Sequence, residues 1–358
     1  MDIKSQKGRG ALSNPEGRFE SRGREEFDDG WNRDDAAAEL PSLETTLSPD
    51  PARSIISRNQ SPDIPFEQSI NPYKGCEHGC VYCYARPSHA YLNLSPGLDF
   101  ETKLFYKPRA AELLAQELSR PGYRPAAITI GANTDPYQPA ERELKCTRQI
   151  LEVLQHFRHP LSIITKSHLV TRDVDILADM ARDNLALVMI SITSLDPGLK
   201  RLLEPRAPAP SSRLTAVKIL AEAGVPVGVM TAPIIPAIND SEMEHILEQA
   251  AQAGALGAGY VLLRLPYEVK DLFQQWLREH YPLRAEHVMS LIRQSRDGKD
   301  YDSGFGTRMR GEGKYAELIA QRFALACKRL NLGWSPRMRL SSAHFRVPDE
   351  SGQLSLLD

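Results

Sequence analysis

The sequence predicts an α/β fold in which a mostly parallel sheet is covered by helices. Two observations predict it. From about residue 66 onward, short and almost wholly apolar runs alternate with helical stretches of roughly ten residues or more. About six such units follow one another, the pattern of strands buried on both faces. Strand order cannot be read from one chain, so a partial α/β barrel and a doubly wound open sheet both satisfy the pattern.

Residues 1–62 read as a disordered N-terminal arm. The first 50 residues hold 12 acidic and 7 basic side chains among Gly, Ser, Pro and Asn, with Phe19, Phe27 and Trp31 as scattered aromatics. Such a segment buries too little apolar surface to offset its ordering entropy. The α/β domain is expected over 63–283. Its first strand is placed at 66–72, followed by a helix over 107–120 that Pro121-Gly122 ends. Strands at 126–130, 161–165, 186–192, 225–230 and 260–263 alternate with helices at 141–156, 171–182 (capped by Thr171), 211–223 (closed by Gly224) and 240–253. The stretch 204–210, with three prolines, reads as an extended loop. A helical extension over 284–345 carries 13 basic against 6 acidic residues between Arg284 and Arg346, and 346–358 reads as a flexible tail.

The 358 residues carry a net charge of −2 and are 41% hydrophobic, enough for a substantial core in a chain that is not a polycation. No apolar run approaches a membrane span, and the first 30 residues lack a signal-peptide core. Five cysteines, three of them clustered, do not make a disulfide framework, and the chain reads as cytoplasmic.

The chemistry concentrates in Asn71-Pro-Tyr-Lys-Gly-Cys-Glu-His-Gly-Cys-Val-Tyr-Cys-Tyr-Ala-Arg86. Cys76, Cys80 and Cys83 are spaced C-x3-C-x2-C. Three thiolates on one loop suit three corners of an iron–sulfur cube with the fourth iron left open. Gly75 and Gly79 allow the backbone to fold tightly around such a core. Zinc is the competing reading, with His78 or His89 as fourth ligand. No second C-x2-C follows, and Cys146 and Cys327 stand isolated in expected helices.

With an aromatic, Tyr82, just before the third cysteine, this stretch resembles the radical S-adenosylmethionine (SAM) enzymes. Its wording is similar to the branch related to spore photoproduct lyase, and to bacterial radical SAM proteins labelled photolyase-like. The resemblance covers about residues 65–345. It implies a partial (β/α)6 radical SAM barrel with the disordered arm and helical extension attached. It also implies a [4Fe-4S] cluster on Cys76, Cys80 and Cys83, SAM bound to the open iron, and an electron donor of flavodoxin or ferredoxin type. Reductive cleavage of SAM would then yield a 5′-deoxyadenosyl radical that abstracts a substrate hydrogen.

Ligands of parallel α/β folds sit at the carboxyl ends of strands. By family position, Asn133 and Thr134, with Asp135 beside them, face the methionyl group of SAM. Lys166 pairs with its carboxylate, Ser191 is a further contact, Tyr82 neighbours adenine, and adenine rests on backbone around Thr231–Pro236. Without the resemblance, Asn133-Thr-Asp-Pro reads as a turn and Lys166 as a side chain reaching to solvent.

The substrate is less legible. Spore photoproduct lyase uses a cysteine near the end of its second strand as hydrogen donor; here that position reads Gly131-Ala132-Asn133, and Cys146 reads as helix packing. Tyr84, Tyr91 and Tyr137 are tyrosines able to relay a hydrogen atom. The glycine-rich loop 304–313, with Arg308 and Arg310, suits a phosphate or carboxylate. Gln353–Leu357 resembles the peptide by which bacterial repair enzymes bind the sliding clamp. The reading is thus a radical SAM enzyme acting on a nucleic acid or nucleotide. Modification of a protein or small metabolite, or a non-catalytic zinc-binding nucleic-acid module, are its alternatives.

Overall fold

The computed structural model describes residues 8–19, 43–333 and 335–348. Its strands, in chain order, are β1 (Thr46–Pro49), β2 (Ser57–Arg58), β3 (Gln68–Ile70), β4 (Tyr73–Lys74), β5 (Lys103–Tyr106), β6 (Ile128–Ile130), β7 (Leu161–Thr165), β8 (Ala186–Ser191), β9 (Val227–Ile234) and β10 (Gly257–Leu262). Seven form one sheet in the order β10-β9-β8-β7-β6-β3-β2. All neighbours are parallel except the short β2, which runs antiparallel on the β3 edge. From β3 to β10 each new strand is added on the same side. A doubly wound sheet would reverse direction, so the partial barrel is the correct alternative, its six parallel strands matching the six apolar runs. Right-handed crossovers and strand twist curl such a sheet toward closure. The remaining strands make a small sheet, β1-β5-β4, beside the cysteine loop.

All six residues of β8 are buried, as the unbroken apolar run required. Val188 and Ile190 pack outward against the helices, with Leu177, Val217 and Leu220 in the same core. Leu187 and Met189 face the lumen and meet Met338, which reaches in from the C-terminal extension. Gly257 makes room for it: a Cβ there would lie 2.9 Å from the Met338 sulfur. The lumen is thus plugged at the strands' amino ends, leaving the carboxyl ends for chemistry.

Three local differences from the sequence reading have physical causes. The expected helix over 141–156 breaks at Lys145 (φ 51) into Glu141–Leu144 and Cys146–His156. Glu141 turns its carboxylate back to accept the Thr147 N–H at 3.0 Å, capping the second helix. The next helix begins as a 3-10 turn, His168–Asp173, capped by Ser167 accepting from Leu169 N at 3.2 Å, so Thr171 is not its cap. Residues 197–203 form an unanticipated helix (Pro197–Leu203), capped by Asp196, which accepts from Gly198 N at 2.7 Å.

Two stretches of the expected disordered arm are built into the fold: residues 8–19, and 43–62 with β1 and β2. Phe27, Trp31 and the clamp-like Gln353–Leu357 lie outside the described residues. In the extension, the helix Gly313–Leu330 packs on the helix Met243–Gln252. Arg322 pairs with Glu244 at 2.7 Å, Arg329 pairs with Glu248, and Tyr315 donates to Asp240 at 2.9 Å. Several of the cations that make this segment basic are therefore neutralised within the chain.

Candidate active site

β3 delivers the cysteine loop to the carboxyl end of the sheet, and backbone contacts from three directions hold it there. Cys76 N donates to Phe100 O at 2.9 Å, and Val81 N to Leu203 O at 3.1 Å. Gln138, beyond the end of β6, accepts from Glu77 N at 2.9 Å and donates to Gly75 O at 3.2 Å. Gly75 (φ 77) and Gly79 (φ 67) adopt the left-handed conformation that a tight loop requires. Cys76 and Cys80 are buried and Cys83 half-buried.

Burial pushes all three thiols above their ordinary pKa. Asp135 and the other two cysteines add to the effect at Cys76, and Glu204 helps push Cys80 up to about 12. Left alone, these thiols stay protonated; as thiolates they need positive charge brought to them. Among the described residues, no three His, Cys, Asp or Glu side chains converge where one ion could sit. Of the two histidines named as fourth zinc ligands, His78 Nδ1 lies 3.3 Å from Asp135 Oδ2, while His89 meets Lys103 O through Nε2 at 3.0 Å and leaves Nδ1 buried without a hydrogen-bond partner. The donor set therefore fits a larger, soft, cationic group gripped by three thiolates better than tetrahedral zinc.

Lys166, just past β7, places its ammonium 5.8 Å from the Tyr82 ring centroid and 4.0 Å from Glu204 Oε1. Burial pulls its pKa down, but Glu204 and Cys80 outweigh burial and hold it above the ordinary value. Ser191 is buried at the end of β8, and its carbonyl accepts from Arg213 at 3.1 Å. Asn133 is exposed; its N–H donates to Asn71 Oδ1 at 2.9 Å, leaving its amide side chain open. Thr134 is buried, and its hydroxyl is committed to Tyr73 O at 2.7 Å.

Asp135 acts as a structural tie. It accepts from Thr165 Oγ1 at 2.6 Å, Lys166 N at 2.7 Å and Tyr137 N at 2.9 Å. Burial would raise its pKa, but His78 and these donors bring it down to about 2. It joins the ends of β6 and β7 to the cysteine loop.

The family model described as "Radical SAM superfamily" matches residues 70–250, more than half of the chain and spanning every group named above. The chain belongs to the radical SAM superfamily. It is therefore an enzyme, and the non-catalytic zinc module is set aside. An uncharacterised Mycobacterium tuberculosis protein is 37% identical over 232 residues, 64% of this chain and 68% of that one. A Methanocaldococcus jannaschii protein is 29% identical over 219 residues, 61% and 78% of the respective chains. Spore photoproduct lyase complexed with dinucleoside spore photoproduct shares the fold, with a TM-score of 0.58 at 15% identity over 79% of each chain. A mutant of that lyase with bound AdoMet and dinucleoside spore photoproduct gives 0.53 at 15% identity over 76% of each. No helix among the described residues is long and apolar enough to cross a membrane.

The radical SAM loop is framed by two buried ion pairs that sequence reasoning missed. On one side Glu204, in the stretch read as a plain loop, accepts from Thr193 Oγ1 at 2.6 Å and from the Tyr82 hydroxyl, and pairs with buried Arg213. Burial opposes its ionisation, but Arg213 and Lys166 bring its pKa down to about 2. On the other side Arg86 and Glu101, both fully buried, pair at 2.5 Å, and Arg86 Nε donates to Cys80 O at 2.8 Å.

A strap formed by residues 8–19 closes over the second pair. Gly10 N and Ala11 N donate to the Glu101 carboxylate at 3.0 and 2.8 Å. Farther along, Asn14 exchanges hydrogen bonds with Asp99, and Arg18 pairs with Glu268 at 3.0 Å.

The remaining candidates scatter. Cys146 is buried beside Tyr73 and Glu141, behind the loop, in keeping with a packing role. Tyr137 is buried against Asp173 at 3.1 Å, and Tyr91 sits 71% exposed against Phe19 of the strap. Tyr84, directly after Cys83, sits among the carboxyl ends of the strands, its hydroxyl donating to Ala132 O just past β6 and its ring facing Arg264 just past β10. Arg308 is held by Asp63 through two contacts of 2.6 Å, and Arg310 lies 4.0 Å over the Tyr260 ring.

Proposed function

We propose that this chain holds a [4Fe-4S] cluster through Cys76, Cys80 and Cys83, cleaves SAM reductively beside it, and acts on a nucleic acid or nucleotide. One observation carries the cofactor assignment: three thiols, two buried and one half-buried, on a glycine-turned loop at the carboxyl end of a radical SAM barrel, with no ligand set for a single ion among the described residues. When bound, the cluster supplies the electron that splits the sulfonium carbon–sulfur bond, and an external reductant recharges it.

The chain's own work is binding, orientation and exclusion of water. Lys166, kept charged by Glu204, suits the methionyl carboxylate. The open amide of Asn133 can accept from the methionyl ammonium, while the committed hydroxyl of Thr134 fixes the turn that presents it. Tyr82, anchored through its hydroxyl to Glu204, offers a ring face to adenine, and Ser191 lines the floor.

The nucleic-acid reading draws on the fold neighbour that binds a dinucleoside photoproduct and on the cations of the C-terminal segment left over once Arg293, Arg308, Arg322 and Arg329 are paired within the chain. The end of β6 bears no thiol, so the hydrogen-donor chemistry expected of that lyase has no counterpart at Gly131-Ala132-Asn133.

Purification without oxygen tests the first part. A brown protein with about four irons per chain that forms 5′-deoxyadenosine when reduced with SAM supports it. A colourless protein holding a divalent ion at the three thiols would overturn it.

A further inference from the structure

Cys83 is flanked by two tyrosines, each with a cation over its ring. Lys166 lies over Tyr82, and the Arg264 guanidinium lies 5.1 Å over Tyr84. Arg264 follows the carboxyl end of β10, where ligands of parallel barrels sit. Its situation differs from that of its neighbours. A guanidinium has five N–H donors, yet here Nη1 reaches only Met309 Sδ at 3.5 Å and Nη2 only the Tyr301 hydroxyl at 3.5 Å. Nε is buried with no partner at all.

The carboxylates nearby are committed elsewhere. Asp63 holds Arg308, Asp300 holds Arg293 at 2.7 Å, and Asp302 accepts from Gly304 N at 2.9 Å and from the Thr307 hydroxyl. Behind Arg264, the buried Arg296 donates to Leu263 O at 3.0 Å and Thr307 O at 2.7 Å, and among the described residues no carboxylate contacts it directly. Among the described residues neither guanidinium has a salt-bridge partner, Arg296 feeling Asp302 only at longer range, and the two lie beside the end of β10. An unpaired, partly buried cation of this kind is costly unless an anion completes it. A planar fork of donors suits a phosphate.

We propose that Arg264 is a substrate-binding residue that takes a phosphate group of the substrate at the mouth beside Tyr84. This rests on the nucleic acid or nucleotide reading given above and names the group by which that substrate is held. The second loop arginine, Arg310, lies over Tyr260 on the helix-covered side and serves as a control.

The test is anaerobic binding to the reconstituted protein. The probes are a fluorescein-labelled single-stranded oligonucleotide of mixed sequence, uridine monophosphate and SAM. Arg264→Ala should weaken phosphate-bearing probes about tenfold and Arg264→Lys less, while SAM affinity and the Arg310→Ala variant stay within about twofold of wild type. If the contact is to a strand phosphodiester, Arg264→Ala also lowers the salt slope for the oligonucleotide by about one. Loss with the monophosphate as well as the oligonucleotide identifies a nucleotide phosphate; loss with the oligonucleotide alone identifies a strand phosphodiester.

The proposal is overturned if Arg264→Ala binds both phosphate probes as wild type does, or if wild type binds neither. A fall in SAM affinity in step with the phosphate probes also overturns it, because Arg264 would then serve the SAM carboxylate. Wild-type 5′-deoxyadenosine formation, measured separately, reports on the radical SAM assignment whatever the phosphate result.

Discussion

Gly10→Ala isolates what the strap does. A Cβ on Gly10 would lie 1.8 Å from the carbonyl oxygen of Gly79 and 3.3 Å from Val81 N, inside the cysteine loop itself. Both nearest atoms are backbone, so no side chain can swing aside, and the contact has to open by about 1.2 Å to become tolerable. The loop cannot yield that far, tied as it is through Cys76, Val81 and Gln138, so the strap must lift. Lifting breaks the two amide hydrogen bonds to Glu101, each worth roughly 1.5–3 kcal/mol because the acceptor is charged. Glu101 keeps Arg86, so the barrel stays folded. The expected result is amide exchange in residues 8–19 faster by on the order of a hundredfold or more, with trypsin cutting after Arg9 and Arg18. Gly8→Ala is the control. It has no atom within 4 Å of the new Cβ and carries only left-handed strain of about 1–2 kcal/mol. Unchanged protection of residues 8–19 in Gly10→Ala would refute the idea that the strap is pinned between Glu101 and Gly79.

Other outcomes follow from the same geometry. Cys76→Ala, Cys80→Ala and Cys83→Ala should each cost most of the bound iron after anaerobic reconstitution; iron retained by the triple variant would exclude these thiols as ligands. Lys166→Ala should raise the Kd for SAM about tenfold, measured by equilibrium dialysis, and an unchanged Kd removes it from the SAM site. Glu204→Gln leaves the buried Arg213 without its counter-ion and should cost about 3–5 kcal/mol in urea unfolding, with Arg213→Met added to Glu204→Gln recovering part of the loss. His89 and His159 are held neutral by burial, their pKa down to about 4 from the ordinary value near 6.5. Their contribution is complete above the unfolded value and is lost as pH falls through about 4, because the unfolded chain takes up the protons first. The urea midpoint should therefore be level above about pH 6.5 and decline below it, before the low-pKa carboxylates Asp135 and Glu204 begin to protonate; a level midpoint down to about pH 4.5 would contradict this.

The six parallel strands were legible because apolar runs report burial directly, and the cysteine spacing was legible because its geometry is local. What stayed hidden was long-range charge pairing. Glu204 reads as one acidic residue before a proline, and its meaning depends on Arg213 across the loop and on Tyr82 and Lys166 far away in the chain. Arg86 and Glu101 are 15 residues apart with no periodicity to link them. The strap escaped because it buries backbone amides and glycines, and hydropathy registers neither; Gly8-Arg-Gly-Ala11 in a polar tail was the available signal. Asp135 lies beside the positions assigned to SAM, and the spacing gave no sign that its carboxylate also accepts from Thr165, Lys166 N and Tyr137 N across two strand ends.

These hidden pairs have one consequence for the chemistry. Glu101 is neutralised by Arg86 on one flank of the cysteine loop, and Glu204 by Arg213 on the other. The frame around the loop is thereby rigid and close to charge-balanced before any cofactor arrives. The groups whose charge is unsettled are the three thiols, held protonated by burial, with Lys166 beside them. A frame of that kind selects its occupant by charge as well as shape: the incoming group must carry enough positive charge to ionise three thiols, two of them buried. It must also leave Lys166 free for a carboxylate, as an iron–sulfur cluster joined by SAM would do.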